Sequence, residues 1–452
     1  MLGFSQYPPD RASHRRIWQL AWPMMLSNIT VPLLGIADTA VMGHLPEPQY
    51  LAAIAVAGVI FTSIYWTFGF LRMGTTGLVA QAHGREDGTA NRRFLAQSLL
   101  IAAIIGLLIW LARTPLIEVS LTWMGADQLV LEQAYQYAMI RAWGAPAVLC
   151  NFVLLGWFVG NQNTRIPLLL LTATNLLNIL LNVLFVYGFG MKAEGVALGT
   201  VISEYASLAM GIWFCRGLLK EISGRFPTRA LLYWHDYAEL INVNRYLLVR
   251  TLLLLFCFAF FTSQGARLGT DVVAANAVLL NFLMLISHAL DGYAHATEAL
   301  IGKALGQKHR SSFYQTITTA SLWSLLSALL IAVFFLITGD WIIKGLTSIP
   351  EIRNIASIYL PWLIALPLIA VWSYLLDGIF IGTTQVKAMQ DTMMISVLGV
   401  FLPIWWLTQS MGNHGLWLAL VSFFVARSIT GGWVYWHFTK TNRWGLPANQ
   451  SF

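Results

Sequence analysis

The residue with the clearest chemical potential is Asp38, a carboxylate inside the apolar run from Val31 to Met42. A charged side chain at the centre of a bilayer costs about 2.5 kcal/mol or more. Burial favours the uncharged form of a carboxyl group, so Asp38 could bind and release one proton, or coordinate one Na⁺. No Lys or Arg lies nearby on the same helix to neutralise it. The alternative is a structural role, in a buried ion pair or as the cap of a kinked helix.

A second polar group lies in another apolar segment, where Asn175, Asn178 and Asn182 recur at i, i+3 and i+7. This spacing places the three amides within about 60° of arc on one helix face. Each amide can donate and accept, so they could bind a carboxyl group or water. A polar seam between helices is the alternative. If the three amides face a cavity instead, further candidates for its lining are Thr200, Ser203, Glu204, Tyr137 and Asn151.

A third group is a stripe on one later segment, formed by His288, Asp291, His295 and Glu298 within about 80° of arc. Two His and two carboxylates could bind a transition metal. One helix rarely presents all the ligands of one ion, so the stripe favours a water-lined cavity wall, with a proton relay as a possible role. We therefore predict no metal site.

A fourth group is predicted from depth in the membrane. Arg250, Asp377 and Glu298 fall at similar levels in three segments and carry opposite charges. The pattern favours a structural ion-pair cluster. A second site for a coupling ion, or a gate, is the alternative.

Composition shows which elements must hold these residues. Hydrophobic residues make up 57% of the chain and charged residues 10%, against about 25% charged in soluble domains. Twelve apolar segments approach or exceed the ~20 residues that span a bilayer. They lie at 16–42, 51–80, 94–112, 133–160, 166–189, 194–216, 246–265, 272–302, 314–338, 355–384, 391–410 and 415–437. The chain is predicted to be an all-α integral membrane protein.

The distribution of Lys and Arg predicts the orientation. Segments on the side of the N-terminus carry 17 of these residues and the opposite loops carry 5. Because cytoplasmic loops are enriched in Lys and Arg, both termini are predicted to be cytoplasmic. The net charge of +7 reflects this bias and gives no support for nucleic-acid binding. The three cysteines, Cys150, Cys215 and Cys257, lie in apolar segments and are expected to pack as small hydrophobes.

The chain also repeats itself at an offset of 222 residues. Gln81–Gly84 precedes Lys303–Gly306 by this distance, and Gly156–Gly160 precedes Gly378–Gly382. We predict two parallel, pseudo-symmetric bundles of six helices around a central cleft, at 1–216 and 246–452, joined by a cytoplasmic linker at 217–245. Duplicated halves are typical of alternating-access transporters. The polar groups do not repeat, since Asp38 corresponds to Phe260.

Motifs for catalysis are absent from the sequence. It contains no G-x-x-x-x-G-K-[ST] phosphate loop, no H-E-x-x-H and no G-x-S-x-G. We therefore predict a transporter without cofactors, driven by an ion gradient, and not an enzyme.

The first segment resembles the multidrug and toxic compound extrusion (MATE) family, in its DinF-like prokaryotic branch. The resemblance lies in Pro23, Asn28 and Pro32, in the run from Gly35 to His44 that reads GIADTAVMGH, and in the loop QAHG at Gln81–Gly84. It covers nearly the whole chain. It implies H⁺- or Na⁺-coupled export of amphipathic, often cationic, organic compounds across the bacterial inner membrane, and we expect a monomer.

The resemblance also assigns roles to single residues. Asp38 matches the aspartate that is protonated in this branch, and Pro23 matches the proline at which the first helix is proposed to bend. Asn178 matches a site asparagine and Thr200 a site threonine. Relatives often carry a second aspartate at the place of Asn182. A single carboxylate favours proton coupling, although amides can also bind Na⁺. A static kink at Pro23 remains the alternative to a bend.

A second functional class shares the broader fold, namely flippases of lipid-linked precursors. A strongly basic cleft would indicate such an activity. The chain carries few basic residues in its apolar segments, namely Arg72, Arg141, Arg250 and Arg427. The sequence therefore favours a drug exporter.

Overall fold

A computed structural model describes the backbone of residues 7–42, 48–124, 128–347 and 349–447, and the side chains of these residues except 31–42 and 48–51. All regular secondary structure in these ranges is helical. The first half contains α1 (Arg11–Met42), α2 (Pro48–Thr67), α3 (Phe70–Gly84), α4 (Gly88–Leu111), α5 (Arg113–Met124), α6 (Gln128–Arg141), α7 (Ala145–Gly160), α8 (Arg165–Val183) and α9 (Ala193–Glu221). The second half contains α10 (Ala238–Leu268), α11 (Thr270–Gly306), α12 (Arg310–Leu346), α13 (Pro350–Gly382), α14 (Val386–Met394), α15 (Leu402–Leu407) and α16 (Asn413–Lys440).

The helices confirm the prediction of a multi-pass membrane protein. In the described part of the chain, 11 helical segments are long and apolar enough to cross a bilayer. They correspond one to one with the second to twelfth predicted segments, and α1 covers the first. Most extend a few residues beyond the apolar run at one or both ends, because a helix continues into the polar headgroup region. α8 and α14 each lead into a π-helical turn, at Leu184–Gly188 and Ile395–Phe401.

The chain forms two compact units. The second-half unit contains α1 up to Met25 together with Asn242–Phe452. The first-half unit contains Leu26–Ile241. The units differ from the predicted lobes in two places. The first turns of α1 belong with the second half of the chain, and residues 217–241 of the predicted linker belong with the first half. Helices enter the predicted linker from both ends, so that only 222–237 connects them, with short 3₁₀ turns at Thr228–Leu231 and Trp234–Tyr237.

The repeat is also visible in helix caps and in left-handed backbone conformations, at positions where the residue types differ between the two halves. Asp87 accepts a hydrogen bond from the backbone at the start of α4, and His309 does so at the start of α12. These caps lie 222 residues apart. Left-handed backbone conformations at Glu86 and Lys308 keep the same offset, as do those at Gln162 and Thr384. The two halves therefore share turn geometry as well as helix order.

The repeated glycines explain why the offset is visible in the sequence. A Cβ on Gly156 would lie 2.4 Å from the carbonyl oxygen of Arg72, and one on Gly378 would lie 2.5 Å from that of Ala294. α7 thus crosses α3, and α13 crosses α11, with backbones in contact. Small residues permit such close helix crossings in membranes.

The two halves differ in continuity. α2 and α3 are separated at 68–69, and α6 and α7 by a 3₁₀ turn at Ala142–Gly144. At the corresponding positions of the second half, α11 and α13 run without a break. The breaks at 68–69 and at Ala142–Gly144 are therefore specific to the first half, whereas the π-helical turn at Ile395–Phe401 is specific to the second, since α8 is continuous at the equivalent positions.

The helix crossings predict a stability effect. Gly156→Ala and Gly378→Ala should each lower the free energy of unfolding by about 1–3 kcal/mol, because the methyl group would overlap a backbone oxygen. Thermal unfolding in detergent measures the change. Gly432→Ala is the matched control on a helix, since a Cβ at this position would have no neighbouring atom within 4 Å. Equal melting temperatures for all three variants would contradict the account.

Candidate functional site

Three side chains from α8 and α9 form a continuous hydrogen-bonded chain in the first-half unit. The Asn182 amide donates to Oδ1 of Asn178 at 2.9 Å, and the Asn178 amide donates to Oγ1 of Thr200 at 2.9 Å. The Thr200 hydroxyl donates to the carbonyl of Val196 at 2.8 Å. Asn178 and Asn182 are fully buried. The structure thus brings together three predicted site residues, which we call the amide chain.

A glycine gives the amide chain its space. A Cβ on Gly199 would lie 2.4 Å from Oδ1 of Asn182. α9 therefore carries no side chain at the point where it meets the amide of α8. One turn further, Ser203 donates to the carbonyl of Gly199 at 2.7 Å, so this hydroxyl is satisfied within its own helix.

Asn175 connects α8 to the first helix. Its amide donates to the backbone carbonyl of Thr30 at 3.2 Å. Asp38 lies eight residues further along α1, a rise of about 12 Å. The backbone at Asp38 is helical, and its side chain lies outside the described residues. The asparagine-bearing helix therefore contacts the helix that carries the predicted coupling residue.

A buried ion pair lies beside the amide chain and was not predicted as a pair. Nη1 of Arg141 donates to Oε1 of Glu204 at 2.8 Å, and both side chains are largely buried. The guanidinium also lies over the rings of Phe61 and Tyr65, at 5.4 and 6.0 Å from their centroids. Glu204 follows Thr200 by four residues. The same face of α9 therefore carries both the end of the amide chain and the charge pair.

The remaining first-half candidates lie around this pair. The Asn151 amide donates to the backbone carbonyl of Glu204 at 3.0 Å. Tyr137 is buried on α6, one turn before Arg141. The sequence contained a signal for the pair, since Arg141 and Glu204 are isolated opposite charges in apolar segments. Nothing in the sequence indicated that α6 and α9 would face each other there.

In the second-half unit, Asp377 binds two arginines. Arg250 and Arg427 both donate to its Oδ2, the latter at 2.6 Å. Arg427 also lies over the rings of Phe423 and Phe424. The structure thus joins Arg250 and Asp377 and adds an arginine that the sequence did not place in the group. A carboxylate held by two guanidinium groups is poorly suited to bind a further cation.

The predicted stripe on α11 forms local contacts. Nδ1 of His288 lies 2.6 Å from the carbonyl of Met284, and Nδ1 of His295 lies 3.6 Å from Glu298. Glu298 therefore lies beside an imidazole of its own helix, and Asp291 lies on the same helix. Among the described side chains, no three His, Cys, Asp or Glu groups converge as metal ligands would.

The Arg141–Glu204 pair predicts a strong and asymmetric effect of substitution. Glu204→Gln should lower the free energy of unfolding by about 3 kcal/mol or more, because it leaves a buried guanidinium without its counter-charge. The double variant Arg141→Gln/Glu204→Gln should recover much of the loss. Thermal unfolding in detergent checks both.

The exposed pair Arg93–Glu239, at 3.2 Å, supplies the control. Glu239→Gln should lower the free energy of unfolding by less than about 1 kcal/mol. If the Glu204→Gln protein were as stable as this control, the charge of Glu204 would not be needed to stabilise the buried guanidinium of Arg141.

Comparison with known proteins agrees with this architecture. DNA damage-inducible protein F of Escherichia coli K12 is 43% identical over 436 residues, which cover 96% of this chain and 94% of that protein. A probable multidrug resistance protein NorM of Thermotoga maritima is 22% identical, with 92% and 90% covered. A crystal structure described as MATE in the straight conformation superposes with a TM-score of 0.85 at 21% identity, covering 98% of this chain and 99% of that one.

The model of the MatE family matches the chain twice, at residues 23–184 and 247–407. The two matches begin 224 residues apart, close to the offset of the internal repeat. They cover most of both halves, including α8 and the part of α1 that follows Pro23. The chain therefore belongs to the MatE family, the multidrug and toxic compound extrusion transporters, and it is a membrane transporter and not an enzyme.

Proposed function

We propose that this transporter exports amphipathic, cationic organic compounds in exchange for protons, with Asp38 as the group that takes up the proton. The observation that carries the proposal is the amide chain. It places buried, uncharged donors and acceptors in the same compact unit as the part of α1 that bears Asp38. Such groups can stabilise either form of one carboxyl group without adding a charge.

The hydrogen bonds within the amide chain favour a proton over Na⁺. Oδ1 of Asn178 accepts from Asn182, and Oγ1 of Thr200 accepts from Asn178. To coordinate Na⁺, these oxygens would have to exchange hydrogen-bond donors for the metal ion. Protonation of Asp38 requires no such exchange. Asn182, where relatives often have an aspartate, supplies no second negative charge.

The division of α1 supports a moving first helix. The boundary between the two compact units falls between Met25 and Leu26, two residues after Pro23. Proline removes one helical hydrogen bond and weakens the helix at that point. A bend there would shift the Asp38 end of α1 against α8 and change the volume of the first-half cavity. Protonation would favour the bend and release the substrate outward.

The proposed setting follows from charge distribution and from relatives. The protein would lie in the bacterial inner membrane with both termini in the cytoplasm, act as a monomer and require no cofactor. Export of drugs agrees with the name of the NorM relative, a probable multidrug resistance protein.

The coupling proposal predicts the behaviour of Asp38→Asn. The variant should insert and fold normally but lose at least about 90% of pH-driven ethidium efflux, because an amide cannot cycle a proton. Efflux from proteoliposomes under an imposed pH gradient, and separately under a Na⁺ gradient at constant pH, measures this.

Asp271→Asn is the matched control, since Asp271 is an exposed carboxylate in the first turn of α11. It should transport like the wild type. Full pH-driven efflux by Asp38→Asn, or wild-type efflux driven by Na⁺ alone, would refute the proposal.

A gain of charge in the amide chain gives a second prediction. Asn182→Asp keeps the side-chain shape beside Gly199 but adds a second carboxyl group to the cavity. Because two carboxylates that share a site repel each other, one proton is held to higher pH. The pH of half-maximal efflux should therefore rise by about one unit. An unchanged pH profile with intact transport would show that Asn182 does not share a site with Asp38.

A further inference from the structure

The connection between α9 and α10, residues 222–237, folds back along α4; we call it the linker segment. A Cβ on Gly88, the first residue of α4, would lie 1.5 Å from the carbonyl oxygen of Ser223. Nine residues later the Gln97 amide donates to the carbonyls of Ala230 and Asp236, at 3.0 and 3.1 Å. This distance is about 13 Å along the helix. The linker segment thus runs from the start of α4 to a level inside its predicted apolar stretch.

Hydrogen bonds hold the backbone of the linker segment in place. Nη2 of Arg92 donates to the carbonyls of Leu219 and Ile222 at 2.6 and 2.8 Å, which satisfies the last turn of α9. The Tyr237 hydroxyl donates to the carbonyl of Leu231 at 3.1 Å. The segment is therefore a fixed part of the first-half unit, and its outward side chains have defined positions.

The outward side chains are large and apolar. Leu232, Tyr233 and Trp234 follow one another in the chain and are 81%, 63% and 78% exposed. Contact with water would cost about 25 cal/mol for each Å² of their apolar surface. Ala230 and Asp236, which flank them, lie at the level of Gln97, three residues inside the predicted apolar stretch of α4. We therefore infer that the three side chains lie where a bilayer passes from headgroups to acyl chains. Tyr and Trp are enriched at this level in membrane proteins.

Basic residues accompany the apolar ones. Arg225 and Arg229 are exposed on the linker segment itself, and Arg216 and Lys220 are exposed near the end of α9. Among the carboxylates of this stretch, Glu239 already binds Arg93, and Glu221 and Asp236 leave the four basic residues in excess. Guanidinium groups beside an interfacial apolar surface match the phosphate of a lipid headgroup.

We propose that the linker segment binds anionic phospholipid in the adjacent leaflet. Leu232, Tyr233 and Trp234 enter the boundary of the acyl chains, and Arg225 and Arg229 engage headgroup phosphates. A soluble protein could also cover an apolar surface. The level of the segment, inside the apolar stretch of α4, places its side chains beside lipid instead.

A fluorescent label at position 233 tests the proposal. Tyr233→Cys is made in the full chain, with the three buried cysteines replaced by alanine, labelled with bimane and placed in nanodiscs. Phosphatidylglycerol or phosphatidylcholine spin-labelled near the headgroup then quenches the label, and aqueous iodide reports exposure to water. The expected result is strong lipid quenching, weak iodide quenching and about threefold to fivefold stronger quenching by labelled phosphatidylglycerol.

Paired substitutions separate headgroup recognition from general proximity to lipid. Arg225→Gln/Arg229→Gln should abolish the preference for phosphatidylglycerol while lipid quenching persists. Lys440→Gln/Arg443→Gln, at the end of α16, is the matched control and should retain the preference. Iodide quenching without lipid quenching would overturn the proposal, including the case in which added cytosol protects the label. Equal quenching by both lipids in the unsubstituted background would also overturn it.

Discussion

The structure depends on one constraint, that polar groups inside a bilayer must find partners within the protein. At Gly156 and Gly378 the helix backbones are in contact, which leaves no room for water or lipid between them. Polar groups near these crossings must therefore bond to other protein groups. Many buried hydroxyl groups donate to carbonyls of their own helix, and several other polar side chains are paired with one another. The amide chain, the Arg141–Glu204 pair and the Asp377 cluster are three solutions to the same problem. They differ in whether their groups can still bind a transported ion.

The difference lies in charge. Arg141 balances Glu204, and Asp377 is held by two arginines, so neither carboxylate gains by binding another cation. The amide chain contains no charge. Its amide and hydroxyl groups can donate or accept, so they can bond to a neighbouring carboxyl group in either protonation state. This contrast supports the proposal that coupling uses the first-half cavity. It also agrees with the helix break at Ala142–Gly144, which follows Arg141 directly and has no counterpart in α13.

Much of this arrangement was predictable from the sequence. Hydropathy gave the spans because the bilayer fixes helix length, and the spacing of Asn178 and Asn182 placed them on one face because a helix has 3.6 residues per turn. The choice of partners was not predictable. Glu298 contacts His295 on its own helix, and Arg427 joins Asp377 from α16, because these pairings depend on how helices rotate against each other. Residues 222–237 return along α4 through hydrogen bonds that Arg92 and Gln97 donate to backbone carbonyls, and such acceptors have no sequence signature.

The most direct test of the central claim is the count of protons released when a substrate binds. A pH-sensitive dye in weakly buffered detergent solution measures the release as ethidium is added near neutral pH, with and without Na⁺. The account predicts about one proton per protein molecule, unaffected by Na⁺ and absent in Asp38→Asn, because a single carboxyl group carries the exchange. Proton release that persists in Asp38→Asn, or ethidium binding that requires Na⁺ and releases no proton, would contradict it.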